Sequence, residues 1–590
     1  MENCMIFKLP SELVSMILEN VDCTDIINFG FTCKHFYDEV KNNQSLWKTK
    51  FKVILPIDVF HIVQKHGKGD WFGEVKFFYT TKQKLYSEIT NMSPQYYWKN
   101  TDITYEDVRI FFSIALSNNL SYYYTIYILQ DMLRKCRKYV NDQKCVKPFT
   151  LTEAYYAKLA LRHLIHTYLA VKWVKLHVKE ELSPEIVINF FLQWVDTDNL
   201  HLDEDVDNKI MEYVHKAEAV LKFDQRAKST KPGDNTKKPI NEGKVLDAVT
   251  QVLYTQQRFA ITTSVNLDTL DIVKVLNNKC GSIIVAATVY QSVARQLGVQ
   301  CELFAFPNHL FLEWVDKSDP QKHRTYTVDL NNGTLRPKRL CPFSQGDRAS
   351  TPQYYPDSLL QYIYTSFHMN MGAIKNWNTQ NASHLLDFLG TYENDYNPYK
   401  NFLSYLLDSM HLPAMDVPLN LKYVSSYYHY LCLPNVGTCL KNFYISRFIC
   451  NFLQTVVKIR DNRIKFAVGM ICYHKKYQYV CIICGWDYSC AGEWRRRMET
   501  EVLEFGPKQP FYHVIAADQS KRYVPEENLI EKIGPQRIFH LEDMIAREFA
   551  TFDGFAYVPN DEKRAEYPNE DAIVNFYRNH SVNKMKKRLS

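Results

Sequence analysis

The sequence lacks a strong excess of either charge. Its 71 Lys and Arg stand against 65 Asp and Glu, a formal +6 spread over 590 residues. Charge that dilute gives no argument for nucleic acid by itself. A disulfide framework is also missing. The 15 cysteines are odd in number and scattered, and Cys33 and Cys301 sit inside apolar patterns. That fits a reducing compartment, cytosol or nucleus, better than secretion. Met1 to Leu9 carries no basic segment followed by an apolar stretch, so no signal peptide is expected. The longest apolar run, Ile283 to Tyr290, falls far short of the ~20 residues that span a bilayer, so no membrane partner is expected. No repeat of regular period is present.

What the sequence has is material for several folded cores. Apolar residues make up 46%, with 40 Tyr and 34 Phe as large rigid packing groups. Residues 1–50 hold short helical patterns. Residues 75–223 are mostly helical by period: Phe111, Phe112, Ala115 and Leu116 recur on one face, and so do Leu161, Leu164, Ile165, Tyr168 and Leu169. Residues 224–243, DQRAKSTKPGDNTKKPINEG, read as a flexible linker or loop. Helical and extended signals mix over 244–345. A second helical region covers 350–456, short alternating strands fill 458–560, and a basic tail follows over 561–590.

In the first fifty residues Leu13, Val14, Ile17, Leu18 and Val21 form an apolar stripe of helical period. Pro10 suits a first helical turn, and Asp22 is a candidate cap for the next helix, with Asp25 near its positive end. Leu9, Pro10, Leu13, Ile17, Asp25, Ile26, Cys33, Lys34, Phe36, Leu46 and Trp47 together resemble the F-box. About forty residues rarely make a self-sufficient core, so a partner is expected. The resemblance implies that the partner is the Skp adaptor, linked through it to a cullin–RING scaffold. The residues expected at that contact are Leu9, Pro10, Leu13, Ile17, Ile26, Phe36, Leu46 and Trp47.

In the middle, Val275 to Val299 is expected to be a helix ending at Gly298. Leu303 to Trp314 alternates like a strand around His309, and Thr325 to Leu330 like another, carrying Asp329. A helix followed by strands bearing His and then Asp resembles the papain-like transglutaminase core. That family places a Cys at the helix N-terminus, where the positive helix end and a His favour the thiolate. His309 and Asp329 match the second and third members. Isoleucine, at Ile283, occupies the nucleophile position, and Ile283 cannot attack a carbonyl. Cys280, the alternative nucleophile, lies three residues earlier, roughly 4–5 Å along a helix axis from that position. No catalytic set is expected, and the module is read as a binding groove that has lost its chemistry.

Past Val457 the strands FAVGM, YVCIICG and FYHVIA suggest a small barrel. Phe466, Val468, Gly469, His474, Lys475, Tyr477, Gly485, Trp486, Asp487, Trp494, Phe511, Tyr512, Val514, Arg522, Tyr523, Val524, Asn528 and Leu529 resemble the YccV-like, or hemimethylated-DNA-binding, domain. The expected surface is His474, Lys475, Tyr477, Trp486, Asp487, Trp494, Tyr512, Arg522 and Tyr523. The family name implies DNA. Residues 458–543, however, hold 14 Lys and Arg against 12 Asp and Glu, a net of +2, and DNA modules concentrate a basic face. Protein binding is therefore the favoured role for this surface, with DNA a second candidate.

No metal and no cofactor is expected. Cys481 and Cys484 have CxxC spacing but no second pair of ligands, and His163 with His166 lack a third. The fold class expected is multidomain, mainly α, with a mixed α/β transglutaminase-like core and a C-terminal small β-barrel. The three resemblances in one chain imply the substrate-recognition subunit of a Skp–cullin–F-box ubiquitin ligase. A cysteine hydrolase or acyl transferase, and a DNA-binding protein, are the alternatives. The protein substrate is not legible.

Overall fold

The computed structural model describes residues 9–99, 103, 106–138, 150–197, 203–228, 241–306, 309–317, 324–337, 356–371, 377–382, 384–385, 457–490 and 503–589. Of the linker expected over 224–243, residues 229–240 fall outside them, while 224–228 and 242–243 belong to helices; most of the second helical region beyond Leu385 and Trp494 also fall outside.

In chain order the described helices begin with α1 (Ser11–Leu18), α2 (Cys23–Gly30), α3 (Lys34–Asn42), α4 (Gln44–Ile54), α5 (Ile57–His66), α6 (Trp71–Tyr96), α7 (Arg109–Ala115), α8 (Ser121–Lys138), α9 (Leu151–Val178), α10 (Pro184–Val195), α11 (Asp203–Lys228) and α12 (Glu242–Thr250). A π-helical turn, Gln251–Gln256, extends α12. Then come β1 (Ala260–Thr262), α13 (Leu267–Leu270), α14 (Ile272–Asn278), β2 (Cys280–Ser282), α15 (Ile283–Gln296), β3 (Glu302–Phe306), β4 (His309–Asp316), β5 (Arg324–Asp329), β6 (Thr334–Pro337) and α16 (Pro356–Met371). The C-terminal part holds β7 (Ile471–His474), β8 (Val480–Asp487), β9 (Phe511–Ala516), β10 (Lys521–Pro525), β11 (Leu529–Glu531), α17 (Glu542–Ile545), β12 (Phe549–Phe552), β13 (Tyr557–Pro559), α18 (Asp561–Glu566) and α19 (Glu570–Leu589).

Two compact units result. One combines Met1–Leu164 with Met415–Ser590, and the other is Ile165–Ala414.

In the first unit the short N-terminal helices do not rest on their own core. Trp47 and Phe51 of α4 are fully buried. The Trp47 ring meets Phe72 at 5.3 Å, and Phe51 meets Phe78 and Tyr124 edge-on, both at 5.9 Å. Residues of α6 and α8 thus supply the missing apolar cover. Lys50 Nζ donates to the carbonyls of Glu19 at 2.7 Å and Val21 at 2.6 Å, closing the C-terminal end of α1.

The C-terminal strands form an antiparallel sheet in the order β10-β9-β8-β7-β11, with β12 and β13 as a separate pair. The small closed barrel expected from the sequence is not found. The edge strands β10 and β11 do not pair with each other, so the sheet stays open, and α19 reaches one edge, with His580 facing Glu531 of β11. The segment expected as a basic tail over 561–590 is packed in its first part, where Tyr567, Glu570 and Val574 are buried. The core of this sheet also contains Cys136 and Leu151, which come from α8 and α9. Arg547 bonds the carbonyls of Tyr96, Tyr97 and Lys99 at the C-terminal end of α6, where unpaired carbonyls favour a cation.

In the second unit α15 is buried continuously from Ile284 to Ala294. The antiparallel sheet β3-β4-β5-β6 accompanies it. Buried Glu185 accepts from Ser292 Oγ at 2.7 Å and pairs with Arg295, which fixes α10 against α15.

Candidate functional site

Three places carry the residues singled out by sequence. The first is the N-terminal helical module. Leu9, Leu13 and Ile17 are 37, 45 and 50% exposed, and Pro10 is exposed beside them. Ile26, Phe36, Leu46 and Trp47, expected at the same contact, are instead buried inside this chain. The Trp47 indole N–H donates to the Val40 carbonyl at 2.7 Å. These four hold the module up and do not face outward. Met16, Ile27, Phe31 and Tyr37 were not anticipated, yet they are exposed too, Phe31 the most at 72%. Phe31 and Tyr37 stack at 6.2 Å. Their signal in the sequence is an apolar residue off the main stripe of each short helix.

The second place surrounds the N-terminus of α15. The single helix expected over Val275–Val299 is broken: α14 ends at Asn278, and Lys279 turns the chain in the left-handed region with φ +59°. β2 then pairs in parallel with β1, Ala260 opposite Cys280. Gly281 is required there, because a Cβ would lie 2.4 Å from Val275 Cγ1. The Asn277-Asn278 pair followed by Gly281 is the local breaker signal. Ser282 caps α15, its Oγ accepting from the Val285 amide at 3.4 Å. Ile283 is the first helical residue, so an alkyl group occupies the position where the helix end could activate a nucleophile. Cys280 is exposed on β2, ahead of the helix.

The strand expected around His309 is a hairpin of two strands, β3 and β4, with His309 opposite Phe306 in register. A Pro-Asn pair in mid-run was the signal. Asp329 ends β5. Its carboxylate pairs with Arg336 of β6 and accepts from the Asn331 amide at 3.1 Å. The turn after it is held from the π-helical segment and its approach: Tyr254 OH donates to Leu330 O at 2.6 Å and Thr250 Oγ1 to Gly333 O at 2.9 Å. Gly333 has φ +74°, and an added Cβ would meet Thr250 and Tyr254 at 2.7 Å. Asp329 thus already has a cation and an amide as partners. Among the described residues no cysteine stands at the helix N-terminus.

The third place is the C-terminal sheet. Of the surface expected there, His474, Trp486, Tyr512 and Tyr523 are buried, whereas Tyr477 is 57% exposed. His474 Nδ1 accepts from the Tyr477 amide at 3.1 Å. Lys475 Nζ donates to the Glu527 carbonyl at 2.5 Å. Tyr512 OH donates to Glu526 at 2.6 Å and accepts from the Phe466 amide at 3.1 Å, and burial pushes its pKa up. Arg522 lies over the Tyr479 ring at 4.1 Å and pairs with Asp518. Asp487 receives Lys458, His513 at 3.0 Å and Tyr523 OH at 2.8 Å. Burial by itself would raise the Asp487 carboxyl, but these three donors outweigh it and hold it well below the ordinary carboxylate range.

A depressed carboxyl stabilises the fold fully above the unfolded pKa of about 3.9 and loses that contribution as pH falls toward its folded value. Asp487→Asn should therefore cost about 1–2 kcal/mol near pH 7. The gap to the parent chain should narrow progressively below about pH 4. Melting curves of both chains from pH 7 to pH 3 read this directly, and a gap that widens with acid would contradict the assignment.

Five basic groups of this module are locally engaged. Lys458, Arg460, Arg463, Arg522 and Arg537 each pair with a carboxylate of the same chain. Arg495, Arg496 and Arg497 lie outside the described residues. No group of three or more His, Cys, Asp or Glu able to hold a metal occurs among the described residues. Cys472 and Cys481 are cross-strand neighbours buried in the sheet.

Comparison with known proteins agrees with this layout. Residues 6–48 match the F-box domain. Residues 206–355 match the transglutaminase-like superfamily. Residues 464–555 match the family described as hemimethylated DNA-binding protein YccV like. F-box only protein 21 of Mus musculus and of Homo sapiens are each 27% identical to this chain, covering 56% of it and 56% of their own length. The chain thus spans about half the length of the curated relatives it matches. No solved structure matches. With matches to F-box, transglutaminase-like and YccV-like families in this order, the chain is similar to F-box only protein 21 along more than half its length.

Proposed function

We propose that this chain is the substrate-recognition subunit of a Skp–cullin–F-box ubiquitin ligase. Its N-terminal face docks on the Skp adaptor and through it on a cullin–RING scaffold, while the domains behind hold a target protein for ubiquitination and degradation in the cytosol or nucleus. The F-box match and the relatives support a substrate-recognition role in general terms. The observation that carries the docking step is the exposure of Leu9, Leu13 and Ile17, together with Met16 and Phe31, on a module whose Ile26, Phe36, Leu46 and Trp47 are buried.

The chain itself is read as non-catalytic, with ubiquitin transferred by other subunits. Ile283 at the first position of α15 and exposed Cys280 ahead of it support that reading. The near-even balance of residues 458–543, 14 Lys and Arg against 12 Asp and Glu, favours a protein target over DNA for the YccV-like domain, because phosphates require a concentrated basic face. No helix among the described residues is long and apolar enough to cross a membrane.

Leu13→Asp with Ile17→Asp tests the docking face. Both side chains are half exposed, so the double variant should melt within about 1 kcal/mol of the parent. Its co-purification with the Skp adaptor should fall at least about a hundredfold, as expected when two charges are forced into an apolar contact. Undiminished capture of the adaptor by a folded double variant would refute the proposed face.

A further inference from the structure

Helix α6 touches both ends of the first unit. Its N-terminal turns carry Phe72 and Phe78, which cover Trp47 and Phe51 of α4. Its C-terminal turns carry Ser93, Tyr96 and Tyr97, which bond to the C-terminal module. The helix has 26 residues, a length of about 39 Å. One point along it is weak. Pro94 lies in its last turn. A proline there has no N–H for the Thr90 carbonyl and crowds it, and helices bend at such places.

The short helix α18 bridges that point. Ser93 Oγ, one residue before the proline, donates to Glu562 Oε2 at 2.7 Å. Tyr97 OH, beyond the proline, donates to Glu566 Oε2 at 3.3 Å. Glu562 and Glu566 are four residues apart on α18 and so share one face. Buried Lys563 lies 3.0 Å from both Glu548 and Glu566, which holds α18 on its own module. Arg547 adds a second brace. Its Nη2 donates to the carbonyls of Tyr96 at 3.0 Å, Lys99 at 2.5 Å and Tyr97. The Arg547 carbonyl accepts from Asn560 Nδ2 at 2.8 Å, and the same amide reaches Thr152 Oγ1 of α9 at 3.3 Å. Thr152 Oγ1 in turn donates to the Phe549 carbonyl at 3.1 Å.

We propose that α6 is a rigid strut, splinted at Pro94 by α18 and Arg547, that fixes the C-terminal sheet at one distance and angle from the adaptor-docking helices. A target held by the sheet is then presented at one place in the ligase and does not swing on a linker. That purpose rests on the substrate-recognition reading above. The rigidity does not.

Spin labels built in as non-canonical residues at Thr24 and Lys521, both exposed, measure the strut in the full-length chain without touching its native cysteines. The parent distance distribution should be as narrow as that of a control pair inside the C-terminal module, Lys521 with exposed Ala572. Ser93→Ala with Tyr97→Phe and Arg547→Met removes the splint and the brace. The Thr24–Lys521 distribution should then broaden at least about twofold, as a freed hinge allows, and the control pair should stay as it was. Should the triple variant be isolated unfolded, Ser93→Ala with Tyr97→Phe gives the same comparison. Capture of the Skp adaptor is read on the same chains, so failure of docking and failure of the strut show as different results. A parent distribution as broad as the variant's, or a folded variant as narrow as the parent, would overturn the proposal.

Discussion

Replacing Trp47 by Ala should remove about 3–5 kcal/mol of stability and abolish capture of the Skp adaptor, although Trp47 does not touch the proposed docking face. Its indole is fully buried, donates to the Val40 carbonyl at 2.7 Å and packs on Phe72 of α6. A loss of that size approaches the whole stability of an ordinary domain. The face formed by Leu9, Leu13 and Ile17 exists only while α1 is held in place, and α4 is what holds it, through Lys50 bonded to the carbonyls at the end of α1. Chemical denaturation and adaptor pull-down on the same preparation separate the two effects. Full adaptor capture by a strongly destabilised Trp47→Ala chain would show that docking needs less of this module than its packing implies. Leu13→Asp with Ile17→Asp should give the opposite pattern, with stability kept and capture lost.

The second large effect is expected at Gly469. Its φ of +89° lies where L side chains are strained, and an added Cβ would stand 1.9 Å from the Tyr557 carbonyl oxygen. The backbone around it cannot shift freely, since its amide bonds Ile483 O at 2.8 Å and its carbonyl receives the Tyr557 amide at 2.9 Å. Left-handed strain alone costs about 1–2 kcal/mol. The overlap must be relieved by parting β13 from the sheet, so Gly469→Ala should cost at least about 3 kcal/mol in all. Hydrogen exchange should report it as early opening of the Tyr557 and Ile483 amides. A variant with unchanged melting and exchange would mean that this crossing point is looser than its geometry.

Much of the local structure was legible because it follows from period and composition. The stripe of Leu13, Val14, Ile17 and Leu18 marks α1, and the alternation over Phe511 to Ala516 marks β9. What was not legible is which apolar residues other parts of the chain cover. Ile26, Phe36, Leu46 and Trp47 have the same periodicity as Leu13 and Ile17, but covering side chains such as Phe72, Phe78 and Tyr124 come from helices further along, at positions that local pattern cannot reveal. Trp486 and Tyr512 were misjudged as surface for the same reason: Glu570 and Glu526, 84 and 14 residues away, satisfy their polar ends inside the fold. Strand count was readable at the C-terminus, but closure was not, because closure depends on whether the two edge strands meet. The break before α15 and the hairpin at His309 had local signals, Asn277-Asn278 with Gly281 and the Pro-Asn pair. A continuous apolar pattern on both sides concealed them. At the transglutaminase-like site the family pattern and a residue count pointed to Ile283, and the structure makes it the first residue of α15.

Leu151 and Cys136 lie in the same core as the sheet that begins at Ile471. During synthesis these N-terminal groups leave the ribosome roughly 300 residues before their cover does. At about 5–20 residues per second that is a wait on the order of 15 to 60 s. Through that interval the growing chain offers a sticky surface to whatever is nearby, so chaperone capture of nascent chains should be strongest for those that have passed Leu151 and not yet reached Phe549.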